Sequence, residues 1–167
     1  MKIFKELFCS LNKERVKYMV VGGIAVNLYG IERATADIDI VVKLDKNNIS
    51  RFINAVKKLG LKPRIPVKLE DFIDDKKREE WITDKGLMVF SLCDPTTPFF
   101  LLDIFVAVPF DFDEVYRQRN RMKLEDIIIP VIPIQELIKM KGNTGRPQDA
   151  ADVYYLGKIL EDWKDEK

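Results

Sequence analysis

The stretch "VVGGIAVNLYGIERATADIDIVV", residues 20–42, decides how this chain is read. An apolar run breaks at a glycine pair, Gly22-Gly23, and after thirteen intervening residues come two aspartates one residue apart, Asp37 and Asp39. A buried strand has no need of carboxylates, and glycine weakens a helix interior. The pattern predicts a strand over Tyr18–Val21, a tight turn at the glycines, a short helix over residues 24–29 closed by Gly30, and a strand over Asp37–Val42. Successive strand side chains point to opposite faces, so Asp37 and Asp39 share one face and Ile38 and Ile40 the other. Two carboxylates side by side repel unless a cation lies between them, and a divalent metal is the natural resolution.

A third carboxylate sits in the run Leu101-Leu102-Asp103-Ile104-Phe105. Burying Asp103 without a partner would be costly. If its strand neighbours the first, Asp37, Asp39 and Asp103 converge on a site for two Mg²⁺ or Mn²⁺ ions, the arrangement that serves in-line phosphoryl or nucleotidyl transfer. The glycines supply the other half. Strand, Gly22-Gly23 and helix start place backbone N–H groups where phosphate oxygens of a nucleotide can sit. The bland alternatives are a solvated strand end, a plain turn, and an ion pair for Asp103.

Composition narrows the chemistry. The chain has 167 residues, no histidine, and near-balanced charge, with 28 Lys plus Arg against 27 Asp plus Glu. Without histidine there is no Ser-His-Asp or Cys-His nucleophile and no His-ligated zinc. Acid–base or metal work falls to carboxylates, which suit hard divalent cations. The balanced charge sets up no global field toward nucleic acid or membrane. No apolar run approaches a membrane span, and Cys9 and Cys93 fit no motif. They read as buried free thiols, and the chain as cytoplasmic.

The other segments read as a helix over residues 3–15, a helix over 49–59, an exposed charged helix over 69–81, strands over 87–92, 100–108 and 127–132, and helices over 134–141 and 149–163. The expected class is α+β: a short mixed sheet flanked by helices. Residues 1–133 would form the core, and 134–167 a helical extension packed on it.

The order strand, Gly-Gly, helix, strand with Asp-x-Asp resembles the polymerase-β-type nucleotidyltransferase superfamily. Val21-Gly22-Gly23 and Asp37-Ile38-Asp39 match its signature, and Asp103 stands where its third metal carboxylate lies. The stretches "REEWITDKGLMVFSL" and "ELIKMKGNTGRPQDAADVYYL" extend the likeness to a small stand-alone branch related to abortive-infection and toxin–antitoxin nucleotidyltransferases. Gly23 replaces the serine of many relatives, and Gln148 stands where toxin-type members often carry lysine. The resemblance implies Mg²⁺-dependent transfer of a nucleoside monophosphate from an NTP to an acceptor hydroxyl on tRNA, protein or a small molecule, with ATP as one such donor. It also implies a possible toxin or antitoxin partner. The alternative is a catalytically weak nucleotide-binding partner module.

The same resemblance gives Lys141 and Asp149 a place at the nucleotide. Local physics explains both otherwise, Lys141 as a cation at a helix end and Asp149 as a first-turn carboxylate. Arg33 could hold a phosphate bidentately, with Thr35 beside it, or pair with Glu32 or Asp45 on the surface. Arg117, Arg119, Arg121 and Lys123 form a basic run. On a helix, Arg117 and Arg121 would share a face and could follow an RNA backbone, although such runs are more often solvated faces. Trp81 could stack on a base, but packing against the sheet is favoured.

Overall fold

The computed structural model describes residues 2–165. Its centre is a seven-stranded mixed sheet. In chain order the strands are β1 (Tyr18–Val21), β2 (Asp37–Val42), β3 (Lys62–Pro63), β4 (Val89–Asp94), β5 (Thr97–Phe105), β6 (Asn120–Leu124) and β7 (Ile127–Val131). They lie in the order β3-β4-β5-β2-β1-β7-β6. β2 runs parallel to β5, and β1 parallel to β7; the other neighbours are antiparallel. The two N-terminal strands are thus central, and the edges are β3 and β6, neither of which the apolar pattern predicts. β6 alternates half-buried and exposed residues, so it carries too little apolar signal.

Seven α-helices accompany the sheet among the described residues: α1 (Lys2–Lys13), α2 (Gly22–Leu28), α3 (Lys46–Lys58), α4 (Asp75–Lys85), α5 (Phe112–Arg117), α6 (Ile134–Gly142) and α7 (Pro147–Asp165). The amphipathic pattern of α1 buries Leu7, Phe8 and Leu11 completely, and the helix packs on α3. Each such side chain contributes about 1.5–3 kcal/mol. One buried cluster runs from Leu7 through the sheet to Ile134 and Leu137 on α6 and Leu156 on α7. The α+β class and the mixed sheet flanked by helices agree with the sequence reading.

Several local expectations are corrected. The glycines do not form a separate turn, because α2 begins at Gly22 itself. Residues 69–81 are not one exposed helix. A 3₁₀ turn over Leu69–Ile73 precedes α4, and Asp74 caps α4 by accepting from the N–H of Lys76 and Lys77. Leu69, Phe72, Arg78 and Trp81 are buried there. The abundant charges of this segment masked four inward positions. Trp81 stacks on Phe90 of β4 with centroids 5.3 Å apart, the packing role favoured from sequence. The basic run 117–123 is no helix: α5 ends at Arg117 and Arg121 lies on β6. Cys9 is exposed and Cys93 half-buried, so neither is a core thiol.

Candidate functional site

The alternation predicted for β2 is present: Ile38 and Ile40 are buried, while Asp37 and Asp39 are half-buried on the other face. β5 lies alongside in parallel, with Asp37 opposite Leu101 and Asp39 opposite Asp103. Asp39 also faces Val21 on β1, and Asp103 faces Ser91 on β4. One transverse row of the sheet therefore reads Ser91, Asp103, Asp39, Val21. Asp37 stands one step along β2 on the same face. The neighbour relation that sequence could state only as a condition is met.

The row is electrostatically costly as it stands. Burial, then the adjacent charges of Asp103 and Asp37, push the Asp39 carboxyl up to about 6, against the opposing pull of a Gly23 N–H bond and of Lys141. Asp103 keeps a buried Oδ1 with no hydrogen-bond partner among the described residues. A buried, unpartnered carboxylate oxygen is expensive unless something outside the chain completes it. An all-oxygen donor set with one orphaned oxygen fits Mg²⁺ or Mn²⁺. Among the described residues no group of three or more acidic or cysteine side chains stands close enough together to hold a metal ion as placed. The acids line one face and would have to turn toward an ion.

The glycines are explained by contact. Gly22 has φ +63°, and a Cβ there would lie 2.6 Å from the Asp39 Cγ. A side chain is excluded both by the left-handed backbone and by the carboxylate. At Gly23 a Cβ would come within 2.5 Å of the Thr35 Oγ1. Thr35 thus lies against the glycine pair, its hydroxyl 3.4 Å from the Asp37 carbonyl oxygen. The Gly23 N–H is committed to Asp39.

Arg33 pairs with neither Glu32 nor Asp45. Its guanidinium forms an ion pair with Asp152 of α7. Asn27 of α2 positions the loop, donating to the Arg33 carbonyl and accepting from the Arg33 N–H, each at 3.2 Å. Asp152 is shared with Lys141 of α6, whose Nζ lies 2.7 Å from both Asp149 and Asp152. Thr144 donates to the other Asp149 oxygen at 2.7 Å. Lys141, Asp149 and Asp152 are all buried. Burial works against the Asp149 charge, but the bonds from Lys141 and Thr144 hold its carboxyl below the usual range. The network joins the two last helices to the loop that carries Arg33 and Thr35.

The structure therefore brings Gly22, Gly23, Thr35, Asp37, Asp39 and Asp103 together. Lys141 belongs to the same neighbourhood through its field on Asp39. Asp149 reaches the site only through Lys141. Sequence reading missed Asn27, Ser91 and Thr144. Common polar residues in no motif carry no signal until a fold gives them partners.

No protein-family model matches the chain, and no curated protein sequence matches it. Solved structures do. A lincosamide antibiotic adenylyltransferase, LnuA, solved with lincomycin bound, is similar over 93% of this chain and 96% of its own, with TM-score 0.60 and 20% identity. A Thermotoga maritima protein assigned to the nucleotidyltransferases is similar over 99% of this chain and 92% of its own, with TM-score 0.58 and 14% identity. The antibiotic-resistance factor ANT(2″)-Ia covers the same shares with TM-score 0.56 and 11% identity. At such identities the likeness speaks for architecture, and the architecture of this chain is the nucleotidyltransferase fold.

Proposed function

We propose that the chain is a metal-dependent nucleotidyltransferase that moves a nucleoside monophosphate from an NTP to an acceptor hydroxyl. The observation that carries this reading is the row on the sheet: Asp39 in register with Asp103, Asp37 one step away, and an Asp103 oxygen without a partner. Asp37 and Asp39 would hold two Mg²⁺ or Mn²⁺ ions, and Asp103 would complete the one on the acceptor side. Bound there, the ions would neutralise the transferring phosphate and the leaving group.

The chain's own groups then have distinct tasks. Asp103 takes the proton of the acceptor hydroxyl. The acceptor oxygen bonds to the α-phosphorus, the bond to the β-phosphate oxygen breaks, and pyrophosphate leaves. Gly22 and Gly23 would border the β- and γ-phosphates; without a Cβ they let the Asp39 carboxylate and Thr35 close directly against the backbone there. Thr35 and Arg33 border that space. Lys141 positions the site with its charge, and Asp149 holds Lys141 in place.

A small molecule bearing a hydroxyl is the acceptor class we favour over tRNA or protein. Two of the similar structures come from proteins that adenylylate or resist antibiotics, and their lengths are nearly spanned by this chain. A second reading, a nucleotide-binding partner module with little activity, draws on the commitment of Lys141 to two carboxylates, which leaves it little capacity for triphosphate. A toxin–antitoxin role belongs to that reading.

The test is pyrophosphate release from each of the four NTPs with Mg²⁺, in the presence of hydroxylated antibiotics or a cell extract. The enzyme reading expects release that Asp37→Ala and Asp103→Asn abolish. Nucleotide binding without release, unchanged by Asp103→Asn, would establish the partner module instead.

A further inference from the structure

At the other end of β1 from the glycines lies a cavity of about 420 Å³ that the proposed reaction does not use. Its wall is made where the α1–β1 turn, α3, α5, β6 and β7 meet. Five cations line it: Arg15, Lys17, Arg51, Arg119 and Arg121. No lining residue is acidic. None of the five forms an ion pair with a carboxylate among the described residues. This is unusual in a chain whose net charge is only +1 and whose lysines elsewhere pair repeatedly with acids. Cations gathered with no carboxylate at ion-pair distance repel one another and favour an anion among them.

One of them is also held in place. Arg119 lies over the Tyr116 ring, 3.9 Å from its centroid, and donates to the Tyr116 carbonyl oxygen at 2.7 Å. The stack fixes the plane of the guanidinium and so reduces the entropy lost on binding a ligand. Arg15 follows the end of α1 at φ 55°. The corresponding left-handed positions after α3 and α4 are Gly60 and Gly86. A side chain there carries backbone strain that glycine would avoid. Here an arginine occupies the strained position and contributes to the basic wall.

We propose that this cavity is a second anion site, distinct from the catalytic row, that takes a compact polyphosphate chain. Compactness follows from the size of the cavity. Asp111, Asp113 and Glu114 lie at the start of α5, and Glu125 and Asp126 at the β6–β7 turn. These acids flank the basic residues only in sequence, and Asp113, Glu125 and Asp126 are paired with Lys43 and Lys5; the size of the cavity, about 420 Å³, suits a short polyphosphate chain and not a long nucleic-acid backbone. A triphosphate satisfies five cations within one cavity. It can belong to a nucleotide or stand free as inorganic polyphosphate.

Binding of inorganic tripolyphosphate is measured by calorimetry on the full chain in EDTA. Without metal the three acids of the catalytic row repel polyanions, so the titration reads the distant cavity. Arg51→Gln with Arg121→Gln, both exposed, is expected to weaken binding roughly tenfold or more. Pyrophosphate release from NTP should stay unchanged, because neither residue belongs to the catalytic row. ATP in EDTA is the second arm. Equal affinity assigns the site to phosphate alone and tighter ATP binding assigns it to a nucleotide; either supports the proposal. A third arm uses a twelve-residue single-stranded RNA. Unchanged tripolyphosphate binding in the double variant, or RNA binding more tightly than tripolyphosphate, would overturn the proposal.

Discussion

Gly22 shows what one residue decides. Its backbone is left-handed, and the Asp39 carboxylate fills the space a side chain would need. Gly22→Ala therefore combines backbone strain with a displaced acid. Urea denaturation should show a loss of about 1–3 kcal/mol, and nucleotidyl transfer should fall about a hundredfold, since small misplacements of reacting groups are costly. Asp39 behaves in the opposite way. Its carboxyl is pushed up to about 6 from 3.8, so the folded, metal-free state holds this proton more tightly than the unfolded chain. The resulting stability is complete below the unfolded value near 4 and is lost as pH rises through about 6. In EDTA, Asp39→Asn should be more stable than the parent at pH 7.5 by about 1–3 kcal/mol, with the gap closing by pH 4. Saturating Mg²⁺ should stabilise the parent and not the variant. A parent whose urea midpoint is flat between pH 4 and 7.5 would contradict the assigned shift.

Register carries the argument at the scale of elements. Ile38, Ile40, Leu102 and Ile104 are buried on the shared face of β2 and β5, and they pin Asp39 opposite Asp103. Slipping either strand by one residue would turn its acid into the core. The C-terminal helices are tied by charge as well as by packing. Lys141 of α6 meets Asp149 and Asp152 of α7, and Asp152 also holds Arg33. Removing one member of a buried ion network leaves the rest uncompensated. Lys141→Met should cost about 3–5 kcal/mol in equilibrium unfolding. Asp149→Asn keeps one acceptor oxygen, for either Lys141 or Thr144, and leaves Asp152 to balance the Lys141 charge, so it should cost less. Equal losses in the two variants would mean that packing, and not charge, joins these helices.

For the whole molecule, the described helices α6 and α7 of the extension that sequence placed at residues 134–167 contribute buried side chains to the core. Ile134, Leu137 and Leu156 are in the same buried cluster as β1 and β2. Their burial contributes about 1.5–3 kcal/mol each, a sum comparable with the ~5–15 kcal/mol that stabilises an ordinary domain. A chain ending at residue 133 should therefore lose its cooperative thermal transition and its near-ultraviolet dichroism. A sharp melt of that fragment would make residues 1–133 an independent unit. Among the described residues no helix is long and apolar enough to cross a membrane.

Local patterns were legible without coordinates because they depend on neighbours in the chain. The period of two in "DIDI" determined which carboxylates share a face, and glycine chemistry marked the break after β1. The absence of histidine set the range of possible chemistry. One exposed-looking feature misled: the charges of residues 69–81 have no periodicity strong enough to separate inside from outside. Only the tertiary structure decided that Asp103 stands beside Asp39, that Arg33 pairs with Asp152, and that five cations, none in an ion pair with a carboxylate among the described residues, gather at the far end of β1. Those facts join segments far apart along the chain. Hydrophobic packing sets them collectively, and no local spacing encodes them.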